Sequence, residues 1–459
     1  MTISRQAAVQ EISRYAQRAV EMLGRPGKQW TLALMEKANI DNNARTSRNS
    51  TEYLAYEQFG QSAAGALSES TPALPTANDE NGVELNWRPA LMARTLGLSW
   101  ERLDAIRAMG GADSRKMGAA KLIGDAFKKE RTKMVAQFEG GRGDNVGARA
   151  FEAGSGTTFK CAQQVPILFQ RGDEVLGYSS DEAGEERLRD AADTSMGSTS
   201  VRVVRIVRDA ATPSITLSAA STWGVDTVLT WKHAPTISSP LGIPFQLDSV
   251  SDGTFKWDSE DGTSSDHMDP NNGADVYFGG TRSANPDLEC QIYNAETEEL
   301  DISLFSTAIG LCIDGNDGDA TVVDKLMVGM NIRTWRRFVK NTLGAVRLKN
   351  QELFLPGNTT SKMTVPMLDG GGMTPMPVKL SPYLPDGFVI FYHYAKAQRI
   401  FTDPGWIPGT DGIWHLLPQA SVAGHQAEYQ AYMIYKHQTG LFLPNSSCVL
   451  WNFDISENV

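Results

Sequence analysis

The sequence predicts an α+β fold, and three observations carry the prediction. Apolar residues recur at helical spacing in several stretches before residue 139, and strand-like runs dominate after it. Within the second half, two further helical patterns interrupt the strands, at 298–312 and inside 325–341. The 42 glycines and 21 prolines favour many turns over a helical bundle.

The first element is a helix in which Val9, Ile12, Ala16, Val20 and Leu23 share one face, ended by Gly24 and Pro26. A second short helix is expected over 28–38. Two polar connections follow, "DNNARTSRNS" (41–50) and "SESTPALPTANDENG" (68–82). Residues 1–90 therefore read as an arm of short helices on tethers, with too few apolar residues for a core of their own. The stretch 91–159 reads as a helical region with helices at 99–109 and 113–138. In the latter, Leu122, Ile123, Ala126, Phe127, Met134 and Phe138 oppose Lys128, Lys129, Arg131 and Lys133. At 1.5 Å per residue it would span roughly 38 Å.

Residues 160–240 read as a β module. "VRVVRIVRDAATPSITLSAA" (201–220) suggests two strands around a proline-bearing turn, flanked by "VPILFQ" (165–170) and "VDTVLTW" (225–231). The segment 241–312 holds an acidic, glycine-rich loop and a helix at 298–312. Thr297 is its expected cap, and Leu300, Leu304, Ala308 and Leu311 form its stripe. Within 313–424, "KLMVGMNIRTWRRFVKN" (325–341) reads as a strand running into a helix with a basic face, and "LDGGGMTP" (368–375) as a flexible loop. Then comes "SPYLPDGFVIFYHYA" (381–395): Phe388, Ile390, Tyr392 and Tyr394 alternate with Val389, Phe391 and His393, so the strand wants cover on both faces. Asp386-Gly387 supplies its turn, and Pro382 and Pro385 stiffen the approach. "YQAYMIYKHQTGLFLPNSSCVLWNF" (429–453) is a last β block, within 425–459.

Composition narrows the function classes. The net charge of −11 argues against a surface built to grip nucleic acid through phosphates. Four scattered cysteines, without C-x-x-C, fit a reducing compartment better than a disulfide framework. The first residues lack an apolar signal core, so secretion by that route is not expected. No stretch approaches the ~18 apolar residues of a membrane span.

Catalytic patterns are missing from the sequence. The six histidines form no H-E-x-x-H, and "EAGSGTTFK" (152–160) satisfies neither the phosphate-loop nor the nucleophile-elbow pattern. The two Arg-Gly-Asp tripeptides (142–144, 171–173) and the sequons at Asn358 and Asn445 read as coincidence. The acidic stretch 248–275 carries Asp258, Glu260, Asp261, Asp266 and Asp269 among its carboxylates. Oxygen ligands at that density suit calcium, yet their spacing matches no EF-hand, and "DGNDGD" (314–319) misses the glycine position. A solvated loop is the expectation, with those five residues as the metal candidates. Arg333, Arg336, Arg337 and Lys340 form a basic cluster that faces phosphate, an acidic neighbour or water. No enzyme activity and no cofactor are expected.

Three stretches in order, "MVGMNIRTWRRFVKN", "VKLSPYLPDGFVIFYHYAKAQRIF" and "YQAYMIYKHQTGLFLPNSSCVLWNF", resemble tailed-bacteriophage major capsid proteins of the Hong Kong 97-like fold. "LGIPFQLDSVSDGTF" (241–255) and "GGTRSANPD" (279–287) are similar to such proteins too, so the resemblance covers about residues 240–455. It implies an N-terminal arm, an extended loop, a peripheral domain with long helix and sheet, and an axial domain, with the β module as an insertion or part of the extended loop. In that frame 91–159 and 241–312 contribute to the peripheral domain, 313–424 is the axial domain, and 425–459 returns as peripheral strands. The implied role is a subunit of an icosahedral shell enclosing double-stranded DNA without sequence-specific binding. Implied partners are further copies in hexamers and pentamers, portal and scaffolding proteins, and decoration proteins, with no membrane; assembly would take place in the host bacterial cytoplasm and the product would be the virion capsid. Tyr383, Leu384, Phe388, Phe391, Trp335, Arg336 and Arg337 are the candidates for intersubunit or packing contacts. Two alternatives stand beside it. One is another virion structural protein, a tail or decoration component; the other is a carbohydrate-active enzyme, given ten tryptophans and many acids.

Overall fold

The computed structural model describes residues 39–40, 53–59, 81–87, 90–99, 135, 138–139, 148–149, 152–161, 169, 171–178, 201–207, 214–223, 228–231, 242–251, 276–345, 364–369, 372–381, 384, 387–401, 405–407, 415–417 and 428–454. The helices expected over 9–23, 28–38 and 99–109 lie outside these residues. Of the helix expected at 113–138, Val135 and Phe138 are described, helical and fully buried.

The core is one mixed sheet of six strands: β1 (Gln291–Asn294), β2 (Leu326–Met330), β3 (Thr364–Asp369), β4 (Gly372–Leu380), β5 (Val389–His393) and β6 (Cys448–Trp451). Their order across the sheet is β1-β6-β5-β2-β4-β3. The pair β1 and β6 is parallel, as is β2 with β4; the other three pairings are antiparallel. Every residue of β2 and of β5 is buried, which is why both read as unbroken apolar runs.

The two faces of β5 have different covers. Val389 and Phe391 pack with Leu326, Val328 and Met330 against helices α1 (Ile302–Asp314) and α2 (Ile332–Ala345). Phe305 of α1 meets Phe391 edge-on at 5.3 Å and Phe338 of α2 at 4.6 Å. On the other face Tyr392 points to a short helical turn at Ile243–Gln246.

Two local expectations are corrected. Helix α1 starts at Ile302, capped by Asp301, whose carboxylate accepts from the Ser303 and Leu304 amides at 2.8 and 3.2 Å. Thr297 instead sits in a left-handed turn (φ 67°) whose amide donates to Asn452, so it cannot cap the helix. The stretch 368–375, expected as a flexible loop, is largely paired strand: Leu368 pairs with Met373 and Asp369 with Gly372 at the end of the β3–β4 hairpin. Arg333, Trp335 and their neighbours do follow a strand, as expected, and Asn331 accepts from the Arg333 amide at 3.0 Å to start α2.

A second sheet forms around the 14-residue strand Glu428–Leu441. Ala397–Phe401, Gly405–Trp406 and His415–Leu417 pair with it, and so does Ala90–Ser99 over ten registered pairs. That last strand was not expected from the sequence. The third sheet is the β module. Its strands run in the order 148–149, 228–231, 174–178, 201–207, 214–223, 154–160, all antiparallel. Phe159, Phe169, Val203, Ile215 and Trp223 form its core. Tyr53–Phe59 and Asn81–Trp87 make a separate antiparallel hairpin.

The core sheet takes strands from both sides of residues 313 and 425. Since a hydrogen-bonded ladder is one unit, residues 291–294 and 448–451 share a layer with 326–330 and 389–393.

Candidate functional site

A buried, hydrogen-bonded seam lies between the core sheet and the long-strand sheet. Its first side is the turn Ile243–Gln246, where Pro244 favours the helical start and Phe245 and Gln246 point inward. Its second is the tight hairpin Val276–Tyr277 to Gly280–Thr281, joined through Phe278 and Gly279 with positive φ values of 47° and 94°.

Arg282 is fully buried there. Its guanidinium lies 5.1 Å from the ring centroids of both Phe245 and Tyr277, and the two rings stack at 5.5 Å. It donates to the Phe245 carbonyl and faces the Asp248 carboxylate at 3.8 Å. A cation beside two aromatic rings and a carboxylate is among the few ways to keep Arg out of water.

Gln246 joins three elements. Its amide donates to the Thr439 carbonyl at 2.6 Å, and its oxygen accepts from the Tyr392 hydroxyl of β5 at 2.8 Å. The Tyr277 hydroxyl donates to the Leu441 carbonyl at 2.8 Å and accepts from the Leu441 amide at 3.0 Å. Glu289 accepts from the Ser249 hydroxyl and the Ser251 amide, fixing the strand-side end of the seam. These bonds bring residues near 245, 280, 392 and 440 to one place. Burial pushes the Tyr277 and Tyr392 hydroxyls up, so both stay protonated donors at neutral pH.

Burial raises the Cys290 thiol beside the seam, as it raises Cys161 in the β module and Cys312 in α1, which keeps all three protonated and poorly nucleophilic. Among the described residues no group of three His, Cys, Asp or Glu side chains is placed to hold a metal ion. No helix among them is long and apolar enough to cross a membrane.

The candidates drawn from the sequence scatter over the fold. Phe391, Phe388, Leu384 and Trp335 are buried inside the chain itself, with Trp335 against Phe338 at 5.6 Å. Arg336 and Lys340 are exposed on α2, while Arg333 and Arg337 are half-buried. Tyr383 and the carboxylates Asp258, Glu260, Asp261, Asp266 and Asp269 lie outside the described residues. Arg282, Tyr277 and Phe245 carry the seam and were not singled out by residue chemistry. The available signal was an arginine following an aromatic pair within "VYFGGTR" (276–282).

No family model and no curated protein matches the chain. Solved structures do. The cyanophage A-1(L) capsid asymmetric unit is similar over 93% of this chain and 92% of that one, at 11% identity and a TM-score of 0.47. The capsid of an empty GTA particle is similar over 93% and 92%, at 11% identity and TM-score 0.40. A structure of Mycobacterium phage Ogopogo is similar over 93% and 94%, at 9% identity and TM-score 0.38.

Proposed function

We propose that this chain is a major capsid protein, the repeating subunit of an icosahedral shell around the double-stranded DNA of a tailed phage. The observation that supports it most is a convergence. The three sequence stretches that resemble such proteins contain β2, β5 and β6, and these are three adjacent strands at the centre of one sheet. Two more, 241–255 and 279–287, meet in the Arg282 seam beside that sheet. Segments that share a resemblance thus share a core.

In this reading the chain acts by symmetric self-association into hexamers and pentamers, without catalytic turnover. Portal, scaffolding and decoration proteins are its further partners, assembly takes place in the bacterial cytoplasm, and the virion capsid is its final location. The net charge of −11 suits DNA that is enclosed without being gripped. Arg336 and Lys340 on α2 are offered to an acidic surface of a neighbour, and Tyr383 to a packing contact. The carboxylates between Asp258 and Asp269 stay candidates for a cation.

The experiment is to express the full chain, alone and with the other structural proteins of its source, and to image the products by negative-stain electron microscopy. Closed polyhedral shells or isolated hexamers and pentamers are expected. Tubes and stacked rings would overturn the reading in favour of a tail component, and a monomer in every combination would overturn it outright.

A further inference from the structure

Three of the four cysteines lie together where the end of α1 rests against the start of β6. Cys312 ends the buried face of the helix and Cys448 opens the strand; both are fully buried and share one apolar core. Their thiols are hydrogen-bonded to each other. Cys290, just before β1, turns instead to the Ser447 carbonyl, with its sulfur 3.2 Å away. From this placement we propose that Cys312 and Cys448 are a latent disulfide pair, closed by a small-molecule disulfide once the chain leaves a reducing compartment.

The backbone brings the two cysteines together. Gly315 lies three residues beyond Cys312, and Asn445 three before Cys448. There the segments touch through main chain, since a Cβ on Gly315 would stand 1.9 Å from the Asn445 carbonyl oxygen. The Pro444–Ser446 turn then leads into β6, and Cys448 is held in register by Gln291 of β1 and Phe391 of β5. Cys312 is held by a helix whose Phe305 and Ile309 fill the same core. A disulfide needs the sulfurs about 2 Å apart. From thiols already in hydrogen-bond contact, a turn about the side-chain bonds supplies that approach. Cys290 is the competitor, but its sulfur is engaged by the Gln291 and Ser447 carbonyls and it stands outside that core cluster. Cys161 belongs to the separate core of the β module.

The reaction is thiol–disulfide exchange, and it balances. One thiolate of the pair attacks the small-molecule disulfide, forms a mixed disulfide and expels one thiolate of the reagent. The second cysteine attacks the protein sulfur of that mixed bond and expels the other. The chain gives up two electrons and two protons, and the reagent takes up both and leaves as two thiols. A mixed disulfide has no room in a closed core, so both steps run while the end of α1 is briefly opened from β6. Burial slows the closing of the bond and afterwards shields it from reductants. The closed bond ties β6 to α1 across the long loop between them, where a cross-link restricts the unfolded chain most. The timing alone rests on the capsid reading, in which the subunit is made in the cytoplasm and ends in a released virion.

The test is to equilibrate the full chain, before association, with oxidised and reduced glutathione just below its unfolding midpoint, where opening is frequent. Alkylation and peptide mass spectrometry without reduction then read the linkage. Free thiols are expected to fall from four to two, with one linked peptide pair joining Cys312 to Cys448. The thermal midpoint should rise by about 3–5 °C and return on reduction. Cys448→Ser should leave the remaining thiols unlinked after the same treatment, and Cys290→Ser should leave the pairing unchanged. If Cys448→Ser fails to fold, the peptide map of the unaltered chain decides the point. Four free thiols at equilibrium, a link through Cys290, or a link that lowers the midpoint would each overturn the inference. The capsid reading is judged separately by imaging: shells without the bond sink this inference alone, and the bond in a chain that never forms shells sinks that reading alone.

Discussion

Gly315 and Asn445 are in contact through the backbone. A Cβ built on Gly315 would lie 1.9 Å from the Asn445 carbonyl oxygen and 2.7 Å from its carbon. Gly315 has ordinary helical angles (φ −68°), so the position demands glycine for space and not for conformation. Gly315→Ala is expected to cost about 3 kcal/mol, because backbone and not a flexible side chain must give way. Denaturant unfolding of the full chain would measure it; a loss under about 0.5 kcal/mol would show that the end of α1 and the Pro444–Ser446 turn move apart freely.

The Arg282–Asp248 pair is the next point of leverage. With Arg282 fully buried and Asp248 nearly so, removing the carboxylate takes away the counter-charge that the ion pair supplies. Asp248→Ala is expected to destabilise by about 3–5 kcal/mol. The double change with Arg282→Met should recover part of that loss, since an apolar side chain of similar length suits the space beside Phe245 and Tyr277. Equal losses in the single and double variants would show that the charge is not what makes the position sensitive.

Capping gives a direct comparison between the expected and the observed start of α1. Asp301→Ala should cost about 1 kcal/mol, because two amides lose their acceptor. Thr297→Ala should fall within about 0.5 kcal/mol of the unaltered chain, its side chain lying outside the helix. Thermal unfolding of the two variants under one condition separates them.

His393 makes stability depend on pH in a defined window. Burial first, then Lys396 and Lys325, lower its folded pKa from 6.5 to about 4, against a smaller opposing effect of Asp319. The unfolded chain therefore takes up this proton more readily than the folded one. Its contribution is fully present above about 6.5, falls as pH drops toward about 4, and changes no further below that. The amplitude is on the order of 3 kcal/mol. His393→Asn should remove this component of the slope; an unchanged slope between pH 4 and 6.5 would assign the dependence elsewhere.

Much of the core was legible because its residues are unambiguous locally. β5 reads as a two-sided strand since Val389 to His393 offer no polar face until the histidine, and its residues are buried as that pattern demands. The strand-to-helix passage at 326–341 is legible for the same reason, with apolar β2 giving way to the Trp335–Phe338 spacing of α2. Ala90–Ser99 was not legible. Its "ALMARTLGLS" is rich in helix-favouring residues, and pairing with Glu428–His437, far along the chain, overrides that preference. The Arg282 seam escaped because an ion pair between Arg282 and Asp248 leaves no local trace in either segment. The glycines of 368–375 suggested slack where they serve a hairpin end, since composition marks a turn without giving its length.

β6 lies inside the core sheet, between β1 and β5, and so links segments separated by about 157 positions, as the bond from Cys290 to the Ser447 carbonyl also does. During synthesis, therefore, β1 waits without its neighbour while everything between them is translated. A nascent chain stopped anywhere before Cys448 would leave a gap in the middle of the layer, with open ladder edges on both sides. Completion of the core sheet thus waits on the synthesis of β6. A truncated copy would expose two unpaired strand edges that the complete layer closes.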